Sequence, residues 1–246
     1  MGLNSGIEWT THTWNPWIGC TQLYEGCRNC YAKREMTRRG MDFNTVKRTS
    51  VQTWNQVKKY NAGDRVFVCS WSDFFHLHAD RWRNDAWEAI KSRRDVTWLI
   101  LTKRIEWVHP DSQFPKNVWL GVSASTKQDT EEQIGMLVMF DVAVRFVSFE
   151  PLLEDLGKMQ LTSCPEDDTD LEEFGQYIDW IIIGCETLAG GKAGRFQDGF
   201  IEAARKIIKQ CQEATLPVFV KQIPINGKVN RNPEQWPEDL RIQQYP

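Results

Sequence analysis

Long apolar segments are missing from this 246-residue sequence. It has no run of 18 apolar residues, the least that a helix needs to cross a bilayer, so we expect no membrane span. The first residues also lack the basic start and apolar centre of a secretory signal peptide. The sequence therefore predicts a cytoplasmic protein with no membrane partner.

Motifs that bind nucleotide phosphates or activate a serine are absent as well. No Gly-x-Gly-x-x-Gly follows an apolar run, and no Walker loop with its lysine is present. Ser70 and Ser72 lack the Gly-x-Ser-x-Gly turn that exposes a nucleophile in many hydrolases. The paired motif of zinc deaminases is also missing. These absences argue against three large classes of enzyme.

Cysteine is present seven times, an odd number that argues against a disulfide framework and for a reducing compartment. Four cysteines are scattered along the chain and are interpreted as small core residues: Cys69, Cys164, Cys185 and Cys211. The other three lie close together, as Cys20, Cys27 and Cys30, in a short loop over residues 19–30. This trio predicts a metal centre.

Three thiolates can hold three irons of a 4Fe-4S cluster and leave the fourth iron open to a small molecule. A zinc ion bound by the same cysteines, with His12 or water as the fourth ligand, is an alternative, and would make the chain a non-catalytic module that binds nucleic acid. A fully ligated cluster for electron transfer is a third hypothesis, and it needs Cys69 or Cys185 as the fourth ligand. His76 and His78 stay unassigned.

Short apolar runs alternate with helical patterns along the chain. The runs are nearly continuous and rich in β-branched and aromatic residues, as in parallel strands buried on both faces, and they cover residues 66–69, 98–101, 118–121, 145–148, 180–183 and 218–221. A further strand is expected at 11–17, and helices at 81–94, 128–139 and 198–213. The alternation predicts an α/β fold: a parallel partial or open barrel of about six to seven strands.

No linker divides the sequence, so a single domain over residues 1–246 is predicted. An acidic stretch at 154–176 is interpreted as an insertion between two strands, and the proline-containing tail, 226–246, as an irregular segment that packs over the barrel.

A polar or charged group follows almost every predicted strand. In parallel α/β folds the carboxyl ends of the strands share one rim, where binding sites collect. The polar residues at these ends are Ser70, Ser72, Asp73, Lys103, Arg104, Ser123, Ser125, Glu150, Glu186, Lys221 and Gln222. The cysteine loop follows the first strand and is expected to open onto the same rim, so the sequence predicts a lined pocket there.

Positive charge is concentrated near the cysteines although the chain as a whole has a net charge of −3. Residues 28–65 hold ten Lys and Arg against three Asp and Glu. Such a face can contact nucleic-acid phosphates, and the 12 tryptophans can stack on bases. Solvated helix faces and core tryptophans explain the same composition, and both interpretations stay open here.

Several segments resemble known proteins. Three cysteines after the first strand of a parallel barrel are similar to the radical S-adenosylmethionine superfamily, although the spacing here is Cys-x6-Cys-x2-Cys and the superfamily pattern is Cys-x3-Cys-x2-Cys. The sequence resembles more closely a phage-associated family of uncharacterised proteins with a three-cysteine motif. That resemblance rests on Trp14-Asn-Pro-Trp-x-Gly-Cys20, Gly26-Cys-x-x-Cys-Tyr-Ala32, Trp119-Leu-Gly-Val-Ser123, Ser148-Phe-Glu-Pro-Leu152, Asp179-Trp180 with Gly184-x-Glu186, and Pro217-Val-Phe-Val-Lys-Gln222.

The resemblance implies an enzyme that holds a 4Fe-4S cluster through Cys20, Cys27 and Cys30 and cleaves S-adenosylmethionine reductively to a 5′-deoxyadenosyl radical. Its implied substrate is a nucleic-acid base or nucleotide, as in hypermodification of phage DNA in a bacterial host, and its implied electron donor is a reductase or flavodoxin-like protein. The resemblance also implies roles by position. Tyr31 would pack near the adenine, Ser70, Ser72 and Asp73 would contact the methionyl amine, and Lys103 would pair with the methionyl carboxylate. Ser123 and Ser125 would bind the ribose, and Glu150, Glu186 and Lys221 would contact cofactor or substrate.

Overall fold

The computed structural model of the protein describes residues 3–161 and 178–246. Most of the predicted acidic insertion, and Cys164 with it, lies outside the described residues. The chain forms two compact units, one of Met1–Val122 with Met139–Ala143 and one of Ser123–Val138 with Val144–Pro246. Each unit has its own strands and is described by itself, and the predicted single domain stays a prediction.

The first unit is built on a parallel sheet. Its strands are β1 (His12–Trp14), β4 (Arg65–Val68), β5 (Thr97–Thr102) and β6 (Val118–Ser123), whose last residue belongs to the second unit. β4 pairs in parallel with β1 on one side and with β5 on the other, and β5 pairs in parallel with β6. Trp14, Val66 and Trp98 are fully buried, which explains why these strands are apolar throughout.

Smaller elements surround that sheet. A two-stranded antiparallel ladder joins β2 (Trp17–Ile18) to β3 (Lys47–Arg48). The helices are α1 (Tyr31–Arg38), α2 (Val51–Trp54) and α3 (Asp80–Lys91). α3 confirms the helix predicted at 81–94 and buries Ala86 and Ile90.

The second unit contains three parallel strands and one antiparallel strand. They are β7 (Val144–Phe149), β8 (Trp180–Gly184), β9 (Val218–Ile225) and β10 (Lys228–Asn230). β8 lies between β7 and β9, and β10 pairs antiparallel with β9. β10 and two 3-10 turns, Pro233–Gln235 and Glu238–Leu240, give regular structure to the tail predicted as irregular.

Two helices complete this unit, α4 (Lys127–Leu137) and α5 (Gln197–Glu213). α5 has the predicted apolar stripe, with Phe200, Ala204 and Cys211 buried. In the described ranges, no helix has the length and apolar character that crossing a membrane requires.

Candidate functional site

At the start of the cysteine loop, the backbone of Gly19 lies close to the segment that precedes β3. Gly19 has a φ of +94°, and a Cβ atom there would lie 2.3 Å from the carbonyl oxygen of Thr45. Its N–H donates to the carbonyl of Trp71 (3.0 Å), and the N–H of Cys20 donates to that of Phe43 (2.7 Å). Only glycine allows this close backbone approach, so Gly19 fixes where Cys20 stands.

The other two cysteines lie at the start of a helix. Cys27 ends a 3-10 turn, Glu25–Cys27, and its carbonyl accepts a hydrogen bond from the N–H of Cys30 (3.2 Å). Cys30 is the N-cap residue of α1 but makes no side-chain capping bond, so its thiol is not used for capping. Cys20 and Cys30 both pack against one apolar cluster formed by Ala32, Met36, Phe43 and Trp71. The fold thus assembles the loop around a common apolar wall.

Each of these three cysteines is a free thiol of intermediate burial. Burial, then the negative charge of Asp73, raises the pKa of the Cys20 thiol to about 11, and the nearby Cys27 adds to the shift. The guanidinium of Arg104 opposes this, since its Nη2 lies 3.5 Å from the Cys20 sulfur. A thiolate at Cys20 therefore needs a positive partner such as a metal.

The donor set is compatible with a cluster. In the described part of the chain, no group of three or more His, Cys, Asp or Glu side chains is placed to hold a metal ion. On a cubane, each thiolate binds a different iron. Three half-buried thiols on one loop, beside an arginine, therefore fit the predicted 4Fe-4S group.

The end of β4 is tied to this loop by hydrogen bonds. The Ser72 hydroxyl donates to the carbonyl of Gly19 (2.5 Å), and the Tyr31 hydroxyl donates to that of Ser70. The Ser70 hydroxyl bonds to the side chain of Asn15 (3.0 Å), which also accepts from the N–H of Trp71. Asn15 was not predicted as a site residue, and its place in the motif Trp14-Asn-Pro-Trp is the signal that would have found it.

Asp73 is a structural connection between two strand ends. Its carboxylate accepts hydrogen bonds from the Thr102 hydroxyl (2.8 Å) and from the N–H groups of Lys103 and Phe75 (both 2.9 Å). The backbone of Lys103, a half-buried residue, thus lies beside Asp73. The ligand roles of Tyr31, Ser70, Ser72, Asp73 and Lys103 stay predictions.

His76 is hydrogen-bonded to the cysteine loop. Its Nδ1 accepts from the N–H of His78, so Nε2 carries the proton and donates to the Thr21 hydroxyl (3.2 Å). Burial, and next the charge of Arg104, lower the pKa of His76 to about 4. The side chain is therefore neutral at physiological pH.

This shift predicts acid sensitivity of the cluster-free protein. In the unfolded chain, His76 binds a proton below its ordinary pKa of 6.5, whereas in the folded protein it stays neutral down to about pH 4. The contribution of His76 to the free energy of unfolding is therefore complete above pH 6.5 and is lost as the pH falls towards 4. Between pH 7 and pH 5, the wild type should lose roughly 2 kcal/mol more of its unfolding free energy than His76→Gln does. Urea titrations across that range measure it, with exposed His109→Gln as the control. Equal pH slopes in the wild type and His76→Gln would contradict the assignment.

In the second unit, Glu150 and Lys221 meet across β8. Lys221 Nζ donates to Glu150 Oε1, and Gln222 Nε2 lies 3.4 Å from the same oxygen. Gly184, at a register shift between β8 and β9, makes this possible, because a Cβ there would lie 3.2 Å from Glu150 Cγ. The structure therefore pairs two residues that were predicted separately: a carboxylate directly after β7 and an ammonium within β9, with β8 between the two strands.

Ser123 and Ser125 occupy the end of β6 and the start of the following turn. The Ser123 hydroxyl lies 3.3 Å from the carbonyl of Glu150, and the N–H of Ser125 donates to Asp129 (3.2 Å). The Ser125 hydroxyl is buried and has no hydrogen-bond partner among the described residues. Such a group is suited to a ligand hydroxyl, and the predicted ribose role stays a prediction.

Glu186 is committed to an internal ion pair. Its carboxylate, 3% exposed, accepts from Nε (3.0 Å), Nη2 and the backbone N–H (2.9 Å) of Arg195. A Cβ at Gly194 would lie 2.2 Å from Glu186 Oε2, so glycine is needed there. Sequence reasoning missed Arg195, since nothing in its local pattern indicates a partner in the segment that follows β8. Contact of Glu186 with cofactor or substrate stays a prediction.

The family model described as "Protein of unknown function (DUF5131)" matches residues 4–237. The chain belongs to this family. The description of DUF5131 mentions neither phages nor cysteines, so the resemblance to the phage-associated three-cysteine-motif family stays a prediction. No curated protein sequence matches this DUF5131 chain.

Solved structures of spore photoproduct lyase are similar to the DUF5131 chain. One, a mutant with bound AdoMet and dinucleoside spore photoproduct, has 11% sequence identity and a TM-score of 0.52, and covers 91% of this chain. Another, complexed with dinucleoside spore photoproduct, has 10% identity, a TM-score of 0.52 and the same coverage. The DUF5131 chain spans 59% of the length of each. The comparison confirms the predicted fold class, an α/β parallel partial barrel of the radical S-adenosylmethionine type.

The basic segment of the DUF5131 chain is only partly neutralised. Arg28 pairs with Glu25, Arg38 with Glu35, and Arg48 with Asp85. Three lysines of the segment, Lys47, Lys58 and Lys59, are exposed, and the charge of Lys47 helps to lower the pKa of Asp42. At least seven tryptophans are core residues, which supports the second interpretation of the tryptophan content: Trp9, Trp14, Trp17, Trp71, Trp98, Trp180 and Trp236.

Proposed function

We propose that this DUF5131 chain is a radical S-adenosylmethionine enzyme that binds a 4Fe-4S cluster through Cys20, Cys27 and Cys30. The observation that carries the proposal is the loop of three free, half-buried thiols that follows the first strand of this fold. A matching fold in a structure with bound AdoMet supports it. When bound, the cluster supplies the electron that cleaves the sulfonium and yields a 5′-deoxyadenosyl radical. The donor of that electron is proposed to be a reductase or flavodoxin-like protein.

The chain's own residues position the ligands and shield the reaction. Ser70, Ser72 and Asp73 are held by hydrogen bonds at the end of β4, beside the backbone of the cysteine loop. We propose that this edge orients the methionyl group, with Lys103 on its carboxylate. The apolar wall behind Cys20 and Cys30 keeps water from the thiolates. In the second unit, Ser123 and Ser125 are proposed ribose contacts.

Glu150 and Lys221 are proposed to handle the substrate. Their side chains are 23% and 12% exposed, and they neutralise each other. Either group can exchange this bond for one to a substrate without leaving an unpaired buried charge, provided that the ligand supplies the missing partner. Glu186 has less freedom, because Arg195 occupies both of its oxygens.

Anaerobic reconstitution with iron and sulfide, followed by incubation with S-adenosylmethionine and a reductant, tests the proposal. We expect a brown protein that releases 5′-deoxyadenosine. A colourless protein with one tightly bound zinc would support the alternative, a zinc-binding module.

The substrate is proposed to be a nucleic-acid base, as in phage DNA hypermodification. The exposed lysines Lys47, Lys58 and Lys59 are the observation that favours it, since exposed lysines bind phosphates. Replacing all three with glutamine should weaken binding of a labelled single-stranded DNA and lower the salt slope by about 2, at roughly 0.7 per phosphate contact.

Fluorescence anisotropy at several salt concentrations measures that binding. The matched control replaces Lys192, Lys209 and Lys228, three exposed lysines of the second unit, with glutamine. An equal loss in both triple variants would show only a general charge effect and would count against a nucleic-acid face on the first unit.

A further inference from the structure

Arg104 is an arginine buried beside a predicted cluster ligand. It is the second residue after β5, and only 1% of its surface is exposed. Its Nη2 donates to the carbonyl of Thr21 (2.6 Å) and to the Thr21 hydroxyl (2.9 Å), and lies 3.5 Å from the sulfur of Cys20. Its guanidinium also stacks on the ring of Trp107, 4.4 Å from the centroid. These contacts fix the position of a full positive charge.

The rest of that guanidinium has nothing to bind. Nε and Nη1 are buried and have no hydrogen-bond partner in the described part of the chain, and no carboxylate there forms an ion pair with Arg104. A buried guanidinium without a counter-charge is costly, so arginines in such places are normally paired. The nearest acid known to act on Cys20, Asp73, already accepts three hydrogen bonds from other groups. The described residues therefore provide no anion that balances the charge of Arg104.

A cluster held by three thiolates is that anion. Its net charge is negative and becomes more negative by one when an electron is added, and hydrogen bonds to its sulfurs and nearby charges set its reduction potential. We infer that Arg104 is a positioning residue for the cluster. Arg104 holds Cys20 in place through Thr21, and its charge raises the reduction potential of the cluster by stabilising the reduced form. This inference rests on the proposed function.

Redox titrations of the reconstituted protein, followed by the electron paramagnetic resonance signal of the reduced cluster, test it. In Arg104→Gln we expect the ratio of reduced to oxidised cluster at a fixed potential to fall about tenfold, equivalent to about 59 mV for one electron. Arg104→Lys keeps the charge but loses the planar fork, so it should show a smaller fall. Arg93→Gln is the matched control, because Arg93 is half-buried but bound to Asp95 and backbone carbonyls. Its potential should equal that of the wild type.

An unchanged potential in Arg104→Gln would overturn the inference while leaving the proposed function intact. If Arg104→Gln does not fold, Arg104→Lys decides: a lowered potential supports the inference and an unchanged one overturns it. A wild-type protein that binds no cluster would overturn both proposals, and iron and sulfide analysis detects that case before any variant is measured.

Discussion

Replacement of Cys27 by alanine should abolish formation of 5′-deoxyadenosine, lowering the rate on the order of 100-fold or more. Three thiolates are the whole set of predicted protein ligands, so the loss of one leaves the cluster held at two corners. Cys27 ends a 3-10 turn that has no buried residue, so the substitution removes a ligand without opening the core. Iron content, visible absorbance and product formation after anaerobic reconstitution measure the effect.

Cys211→Ala is the matched control for this experiment. Cys211 is fully buried on α5 in the second unit, and burial raises the pKa of its thiol to about 12, so it is a core residue and not a ligand. Its replacement should cost about 1 kcal/mol of stability and leave cluster and product unchanged. Full turnover in Cys27→Ala, with wild-type iron content, would remove the cluster assignment.

The parallel strands were predictable because their sequence pattern has a single cause. Apolar runs at 98–101 and 180–183 lie in β5 and β8, where four of six and all five residues are buried, as in strands covered on both faces of a sheet. The first strand is shorter than predicted. It was expected over 11–17 but ends at Trp14, since Pro16 cannot donate to a ladder and Trp17 pairs instead with Arg48.

Helix starts were harder to predict. The segment Thr130-Glu-Glu-Gln133 has the pattern of a capping box, but Thr126 is the N-cap of α4 and accepts from the N–H of Asp129. Thr130 and Gln133 are buried within the helix. Thr126 and Thr130, four residues apart, are equivalent local signals for the start of a helix. Which of them is the N-cap depends on packing against the rest of the unit.

The side-chain partners of the site residues depend on contacts between distant segments. Glu150 and Lys221 are 71 residues apart, and Gly184, on the strand between them, lies close to the side chain of Glu150. Arg104 reaches Thr21 across 83 residues. Polar residues after apolar runs therefore predicted which residues line the strand ends, whereas the bonds that hold them could be read only from the folded chain.

Gly19→Ala should have the largest effect on stability, because it combines two penalties at one residue. Alanine is strained at a φ of +94°, and its Cβ would lie 2.3 Å from the carbonyl oxygen of Thr45, a backbone atom that cannot rotate away. Backbone strain and overpacking each cost about 1–3 kcal/mol, so we expect a loss of about 3 kcal/mol or more. Urea unfolding of the cluster-free protein measures it.

Gly40→Ala separates the two penalties. Gly40 also has a positive φ, +68°, but a Cβ there meets nothing within 4 Å, so its replacement should cost only about 1 kcal/mol. Because Gly19 precedes Cys20 directly, the displaced backbone should also lower the iron bound after reconstitution in Gly19→Ala and not in Gly40→Ala. Equal stability losses in the two variants would show that the contact with Thr45 is relieved without cost. Normal iron loading in Gly19→Ala would show that the position of Cys20 does not depend on this approach of two backbones.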